Sequence, residues 1–179
     1  SDFDYALEER WLRDEGLAAL PARAIAGAVA QAGVAAEASR HFVMPGNGAN
    51  LKRIAKSAGL HAEVKLADPL QADCGDTGAA HALLMLVGVL ETAAVGDLIL
   101  LSSFGQGVDA LVLRVEAGVD DWRAQHRPLT ATLARRHTES QYCRYLSHAG
   151  LLQVDFGMRA ERDNRTAQSV AWRKHQMLD

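Results

Sequence analysis

A helix and two strands bracketed by glycines constrain the fold of this chain more than any other feature. From Cys74 to Val115 the sequence reads CGDTGAAHALLMLVGVLETAAVGDLILLSSFGQGVDALVLRV. Glycines at both ends of such a unit mark tight turns, or a backbone that something approaches closely. The apolar patterns between them predict a central helix over 77–93 and strands over 98–104 and 110–115. The glycine-containing connection predicts that the two strands form a hairpin.

Helices and strands are also predicted before this unit. Apolar residues at helical spacing predict a helix over 7–32, in which Pro21 is a point of division. Short apolar runs predict strands over 41–45 and 61–67, with a helix over 51–58 between them. The order helix, strand, helix, strand, helix, strand, strand predicts an α/β fold, with helices packed on a mixed sheet.

The sequence changes character after the last of these strands. It carries many charges and few long apolar runs, which predicts an irregular helical tail over 117–179 beside a folded domain over 1–116. Within the tail, the pattern over 140–152 predicts a helix with Tyr142, Tyr145 and Leu146 on its inner face.

Composition excludes several classes of function. The 179 residues fit one domain or a large piece of one, and a net charge of -3 without a basic patch argues against a nucleic-acid partner. The apolar run Ala79–Val89 is too short to span a bilayer. Cys74 and Cys143 form neither a metal-binding spacing nor a disulfide framework. We therefore expect no metal, no membrane span and a cytoplasmic location.

The start of the central helix is the candidate binding site. Its unpaired N–H groups and its dipole favour an acyl oxygen, a carboxylate or a phosphate. The alternative is that Asp76 only caps the helix, while Gly75 and Gly78 only form the turn and a close contact with the sheet. His81 is either a packed polar residue or a participant. Cys74 is a nucleophile candidate from its position, although a small buried side chain is the favoured interpretation.

The glycine-bracketed unit resembles the last helix-strand-strand unit of thiolase-fold condensing enzymes. The resemblance is to the branch of hydroxymethylglutaryl-CoA synthase and ketoacyl synthase III, in which a G-N-T-S/A-A-like turn, a helix, P-G-D, a strand, G-F-G-x-G and a final strand follow one another. The corresponding pieces here are Gly75-Asp76-Thr77-Gly78-Ala79-Ala80, Val95-Gly96-Asp97 and Ser103-Phe104-Gly105-Gln106-Gly107. The N-terminal segment and the tail also resemble parts of bacterial and archaeal hydroxymethylglutaryl-CoA synthase-like proteins.

The resemblance implies a fold, an activity and partners. The family folds as two similar halves with a nucleophilic Cys in the first, and this chain is similar to the second half alone. It implies the C-terminal half of a thiolase-like αβαβα fold, an acyltransferase when complete, and an isolated chain without activity. The implied substrate is an acyl-CoA or acyl-carrier thioester, with no cofactor. The implied partners are the half that carries the Cys, a zinc-ribbon/OB-fold protein, and a second copy in a dimer.

The resemblance also implies a set of site residues. Asp76 stands where the family has Asn, and a carboxylate can accept hydrogen bonds, act as a base or orient a His. Asp76 and His81 are therefore the catalytic candidates. The family's backbone N–H groups near G-F-G-x-G bind the thioester oxygen. The substrate-binding candidates are Asn47, Gly75, Thr77, Phe104, Gly105, Gln106 and Gly107.

One departure from the family pattern leaves alternatives open. The strand over 41–45 matches the strand before the family's catalytic His, but Met44-Pro45-Gly46-Asn47 follows here, and His41 lies about three residues early. We expect His41 to point elsewhere. The first alternative function is a non-catalytic scaffold that completes a thiolase-fold partner, and the second is an unrelated α/β binding domain whose glycines only form turns.

Overall fold

Four strands form one mixed sheet in the computed structural model, which describes residues 16–105 and 107–152. The strands are β1 (Ser39–Val43), β2 (Lys65–Leu66), β3 (Leu98–Phe104) and β4 (Val108–Arg114). They lie in the order β2-β1-β3-β4, with β2 and β3 parallel to β1 and with β4 antiparallel to β3. The predicted α/β class, the mixed sheet and the hairpin are confirmed.

Helices connect and flank these strands. They are α1 (Ala18–Ala32), α2 (Gly48–Ser57), α3 (Gln71–Cys74), α4 (His81–Leu90), α5 (Val119–Gln125), α6 (Leu129–Leu133) and α7 (Tyr142–His148). Short 3-10 turns occupy Ala36–Ala38 and Gly78–Ala80. None of the helices in the described ranges combines the length and the apolar character that crossing a bilayer requires.

Apolar side chains pack on both faces of the sheet. Along β1 and just beyond it, Phe42 and Met44 face one layer while Val43 faces the other, as strand alternation requires. In the first layer, Ile25 of α1 and Leu51 and Ile54 of α2 pack together with Leu100 of β3. In the second layer, Ile99 and Leu101 of β3 pack together with residues of α4 and α6. These are Met85, Val89 and Leu129. Burial on both faces explains why β3 opens with an uninterrupted apolar run.

Several predicted boundaries move for local reasons. Pro21 lies in the first turn of α1 and does not divide the described helix; the part of the predicted helix before residue 16 lies outside the described residues. Helix α2 begins three residues before the predicted start because the Asn47 side chain caps it. Strand β2 is shorter than predicted because the N–H groups of Glu63 and Val64 bond to His61 and close a turn there.

Helices α5 and α6 were not predicted and are held by long-range hydrogen bonds. Arg123 donates from Nε and Nη2 to the carbonyl of Leu90 at 2.9 and 2.6 Å, and so caps the end of α4. The carboxylate of Glu91 accepts the N–H of Leu129 at the start of α6. These bonds hold both helices against α4. The first compact unit of the chain therefore includes them and ends at Arg136.

The second unit begins at His137, and its described part centres on α7. This helix confirms the core of the helix predicted over 140–152. The prediction that its tyrosines face inward is wrong, because Tyr142 and Tyr145 are 69% and 58% exposed. Their rings stack on each other at 5.9 Å between centroids, which leaves both on the helix surface.

Candidate functional site

Glycine backbone geometry builds the turn before α4. Gly75 has φ 68° and ψ -162°, a combination that essentially only glycine adopts. Gly78 has φ 64°, also in the left-handed region. Between them, Asp76 Oδ1 accepts the N–H of Gly78 at 2.7 Å and closes an Asx turn. Asp76 and Thr77 are exposed, so this turn presents a carboxylate and a hydroxyl at the surface.

The side chain of His81 fixes this turn by accepting hydrogen bonds from Thr77. Its side chain is almost completely buried, at 1% exposure. Nε2 lies 2.8 Å from the carbonyl of Pro69, and because a carbonyl can only accept, Nε2 carries the hydrogen. Nδ1 is therefore an acceptor, and it receives the N–H of Thr77 at 3.3 Å and its hydroxyl at 3.2 Å. Both ring nitrogens are used inside the protein, which makes His81 a positioning residue for Thr77.

The two catalytic candidates lie on either side of Thr77 in sequence and have separate partners. Asp76 bonds to Gly78, while His81 bonds to Thr77 and Pro69, and no bond joins Asp76 to His81 among the described contacts. The half-buried thiol of Cys74 donates to the carbonyl of Leu70 at 3.4 Å. The exposed group that remains for chemistry at this turn is the carboxylate of Asp76.

The topology brings the substrate-binding candidates to one edge of the sheet. Since Val43 pairs with Leu101 in parallel, the connections after β1 and β3 leave at the same carboxyl edge. Helix α4 links parallel strands, so its start also belongs to this edge. Ligands of α/β proteins commonly bind at such edges. The same edge of the sheet therefore carries Asn47, the Gly75–Gly78 turn and the β3–β4 hairpin.

Some of these candidates already have internal partners. Asn47 Oδ1 accepts the N–H of Asn50 at 3.0 Å, which occupies that atom in capping α2. The N–H of Gly105 donates to the carbonyl of Gly107 at 2.9 Å within the hairpin loop. Phe104 is half-buried at the end of β3, and Gln106 lies outside the described residues. The hairpin backbone is therefore exposed, with the Gly105 N–H turned to its own loop.

A buried histidine–carboxylate pair was missed from the sequence. His41 is 5% exposed, and its Nε2 lies 3.0 Å from Asp97 Oδ2. The same oxygen accepts the N–H of Ala94 at 2.9 Å. Burial raises the pKa of Asp97, but the hydrogen bonds from Ala94 and His41, together with the positive charge of Arg40, outweigh this effect and lower the pKa. Asp97 is therefore an ionised acceptor that orients His41.

The pair lies at the amino edge of the sheet, opposite the candidate site. His41 is near the start of β1, and Asp97 directly precedes β3. The parallel register pairs His41 with Ile99, which brings the two side chains together. The signal in the sequence was a His inside an apolar strand and an Asp directly before another. His41 therefore contacts Asp97 at this edge and not the Gly75–Gly78 turn.

Replacing Asp97 with Asn is expected to destabilise the fold in a pH-dependent way. A carboxylate whose pKa is lower in the folded state stabilises the fold at pH values above its unfolded pKa of about 4. This stabilisation is lost as the pH falls through the folded pKa. Since Asp97 is 23% exposed and solvent screens the pair, we expect the free energy of unfolding to fall by about 1 kcal/mol at neutral pH. Urea unfolding of both proteins from pH 7 to pH 3 measures it.

Asp121→Asn is the control for this substitution. Asp121→Asn, at an exposed carboxylate on α5, should change the free energy of unfolding by less than about 0.5 kcal/mol at every pH. A deficit of Asp97→Asn that stays constant down to pH 3 would show that the ionised carboxylate is not what stabilises His41.

Replacing Gly75 with Ala is expected to strain the turn. A Cβ at this position meets no atom within 4 Å, so the effect comes from the backbone angles alone. We expect the free energy of unfolding to fall by roughly 1–3 kcal/mol. Gly48→Ala is the matched control, because Gly48 begins α2 in open space without a positive φ, and Ala there should be neutral or stabilising. Equal effects of the two substitutions in thermal unfolding would contradict the strained turn.

The sequence matches no protein-family model and no curated protein. The function of the carboxyl edge therefore has to be argued from its own groups. At the glycine turn these are the exposed carboxylate of Asp76, the hydroxyl of Thr77, the start of α4 and the glycine backbone. In the part of the chain that the structure describes, no three His, Cys, Asp or Glu side chains group as metal ligands.

Proposed function

We propose that this chain is the C-terminal half of a thiolase-fold condensing enzyme of the hydroxymethylglutaryl-CoA synthase and ketoacyl synthase III type. Its reaction is the formation or cleavage of a carbon–carbon bond on a thioester, through an acyl group on a Cys of another segment or subunit. The mixed sheet, the terminal hairpin and the glycine turn at one edge support this proposal. A zinc-ribbon/OB-fold protein and a second copy of the complete fold are further proposed partners.

The apolar surface of α4 is the observation that carries the proposal. Its ten residues contain no charged side chain. One face is buried through Ala82, Met85 and Val89, yet Leu83 is 57% exposed. A surface helix normally presents polar residues to water, whereas a helix that is apolar all round belongs between two layers. In the proposal, the half that carries the Cys covers this second face of α4.

The turn before α4 supplies the chemistry of this half. Covering α4 brings the other half's Cys next to the exposed groups of the Gly75–Gly78 turn. Asp76 there accepts hydrogen bonds from the substrate or takes a proton from it. Thr77, fixed by His81, positions the turn, and the start of α4 favours the thioester oxygen as negative charge develops on it.

A specific observation favours the scaffold as a second candidate. Met44 follows β1 where the family has its catalytic His, and it is 1% exposed in the core. Asn47, the next polar residue, uses its side-chain oxygen to cap α2. In this alternative the chain completes the fold of its partner and contributes no reacting group.

Substitutions at Asp76 distinguish the two candidates in the assembled complex. If Asp76 transfers a proton, Asp76→Ala and Asp76→Asn should each lower kcat by roughly 100-fold or more. If it only accepts a hydrogen bond, Asn should retain most of the activity, because its amide oxygen can still accept from Gly78. The control is Asp121→Ala, at an exposed carboxylate on α5. Unchanged turnover in both Asp76 variants, with assembly intact, would favour the scaffold.

A further inference from the structure

A cleft lies between β2, α4 and α6. Its volume is about 400 Å³. Met85, Val89 and Leu129 give it an apolar wall, and all three are buried. The volume falls within the range of roughly 300–1,000 Å³ that small-molecule sites occupy. Neither candidate function uses this cleft.

His41 gives the cleft a buried polar group with an open acceptor. It lines the cleft, and only 5% of its surface is exposed. Nε2 donates its hydrogen to the ionised carboxylate of Asp97, and Nδ1 of the neutral ring is then the acceptor. No residue that the structure describes donates a hydrogen bond to Nδ1. A ligand with an N–H or O–H group can satisfy it.

The charges that line the cleft favour a cation over an anion. Asp68 and Glu91 each use one oxygen to accept a backbone N–H, from Leu70 and Leu129. Their second oxygens have no partner among the described residues. Asp73 also lines the cleft, but Arg136 neutralises it at 2.8 Å, and exposed Lys65 supplies one positive charge at the rim. The remaining groups are mostly acceptors and negative charges.

We propose that this cleft binds a small amphipathic amine. The hydrocarbon part of the ligand packs against Met85, Val89 and Leu129. Its ammonium group donates hydrogen bonds to His41 Nδ1 and to the free carboxylate oxygens of Asp68 and Glu91. The inference is independent of the proposed function, because that function assigns no reacting or binding role to His41, Asp68 or Glu91.

Titration of the full chain with three six-carbon probes tests the proposal. The probes are n-hexylammonium, hexanoate and n-hexanol at neutral pH, followed by the amide shifts of the ¹⁵N-labelled protein. We expect saturable binding of hexylammonium, with shifts centred on Gly88, Thr92 and Thr130. Hexanoate should bind at least about tenfold more weakly, because the carboxylates repel it. Equal binding of all three probes, shifts centred elsewhere, or no saturation by hexylammonium would each overturn the proposal.

Substitutions at exposed positions locate the site without disturbing the core. Thr130→Trp fills the cleft and should abolish hexylammonium binding, whereas Thr132→Trp, exposed on the same helix but outside the cleft, should leave it unchanged. Asp68→Asn keeps the bond to Leu70, so it is the second variant. It should weaken hexylammonium at least threefold and leave hexanol unaffected. Retention of full affinity in both Thr130→Trp and Asp68→Asn would overturn the proposal.

Discussion

Replacing Leu83 with Asp is expected to abolish association with the half that carries the Cys. Leu83 is 57% exposed on the otherwise apolar helix α4, so the substitution should leave the fold of the isolated chain intact. In the complex, the same position would bury an unpaired carboxylate between two layers. Such burial costs several kcal/mol, and we expect the Kd to rise at least about 100-fold. Isothermal titration calorimetry with the complementary half measures it.

Leu20→Asp is the matched control for this substitution. Leu20 is 38% exposed on α1, which packs on the opposite face of the sheet from α4. It should therefore change the Kd by less than about threefold. Equal affinity of the Leu83→Asp variant and the unmodified chain, with both folded by circular dichroism, would contradict an interface on α4.

Replacing His81 with Ala is expected to have the largest effect on stability. The substitution leaves a cavity at a side chain that is 1% exposed, and it removes the hydrogen-bond partners of Thr77 and Pro69. The cavity costs about 2 kcal/mol or more, and each hydrogen bond lost by these two exposed residues adds about 1 kcal/mol or less. We expect the free energy of unfolding to fall by about 3 kcal/mol in total, measured by urea denaturation.

His61→Ala provides the comparison at an exposed histidine. His61 accepts one exposed backbone N–H, so its removal should cost less than about 0.5 kcal/mol. A His81→Ala variant that remains as stable as the unmodified chain, but loses activity in the complex, would contradict the positioning role. It would make His81 a reacting group instead.

The elements that local sequence determines were predictable. Strand β3 was predicted with its observed bounds, because a Gly-Asp turn and a Phe-Gly pair enclose its apolar run. The hairpin followed from the glycines after Phe104. Helices α5 and α6 were missed because long-range hydrogen bonds, from Arg123 to Leu90 and from Leu129 to Glu91, hold them against α4. Such bonds leave no periodic pattern in the sequence.

At the candidate site too, the local turn was predictable and the long-range contacts were not. The glycine turn around Asp76 was predicted, because positive φ angles require glycine. The contact of His81 with Pro69 spans twelve residues and depends on how a loop folds back. The pair of His41 and Asp97 joins residues 56 apart in sequence, and it exists only because β1 and β3 lie side by side in register. Neither contact can be read from spacing.

The central claim is that the reacting thiol lies outside this chain. Intact mass spectrometry tests it most directly, after the chain and its complementary half are incubated with acetyl-CoA and digested to locate the adduct. We predict one acyl group on a Cys of the complementary half, and none on Cys74 or Cys143 of this chain. A stable acyl group on Cys74 would contradict this division of the site, and failure of the pair to react with any acyl-CoA would contradict the condensing-enzyme function itself.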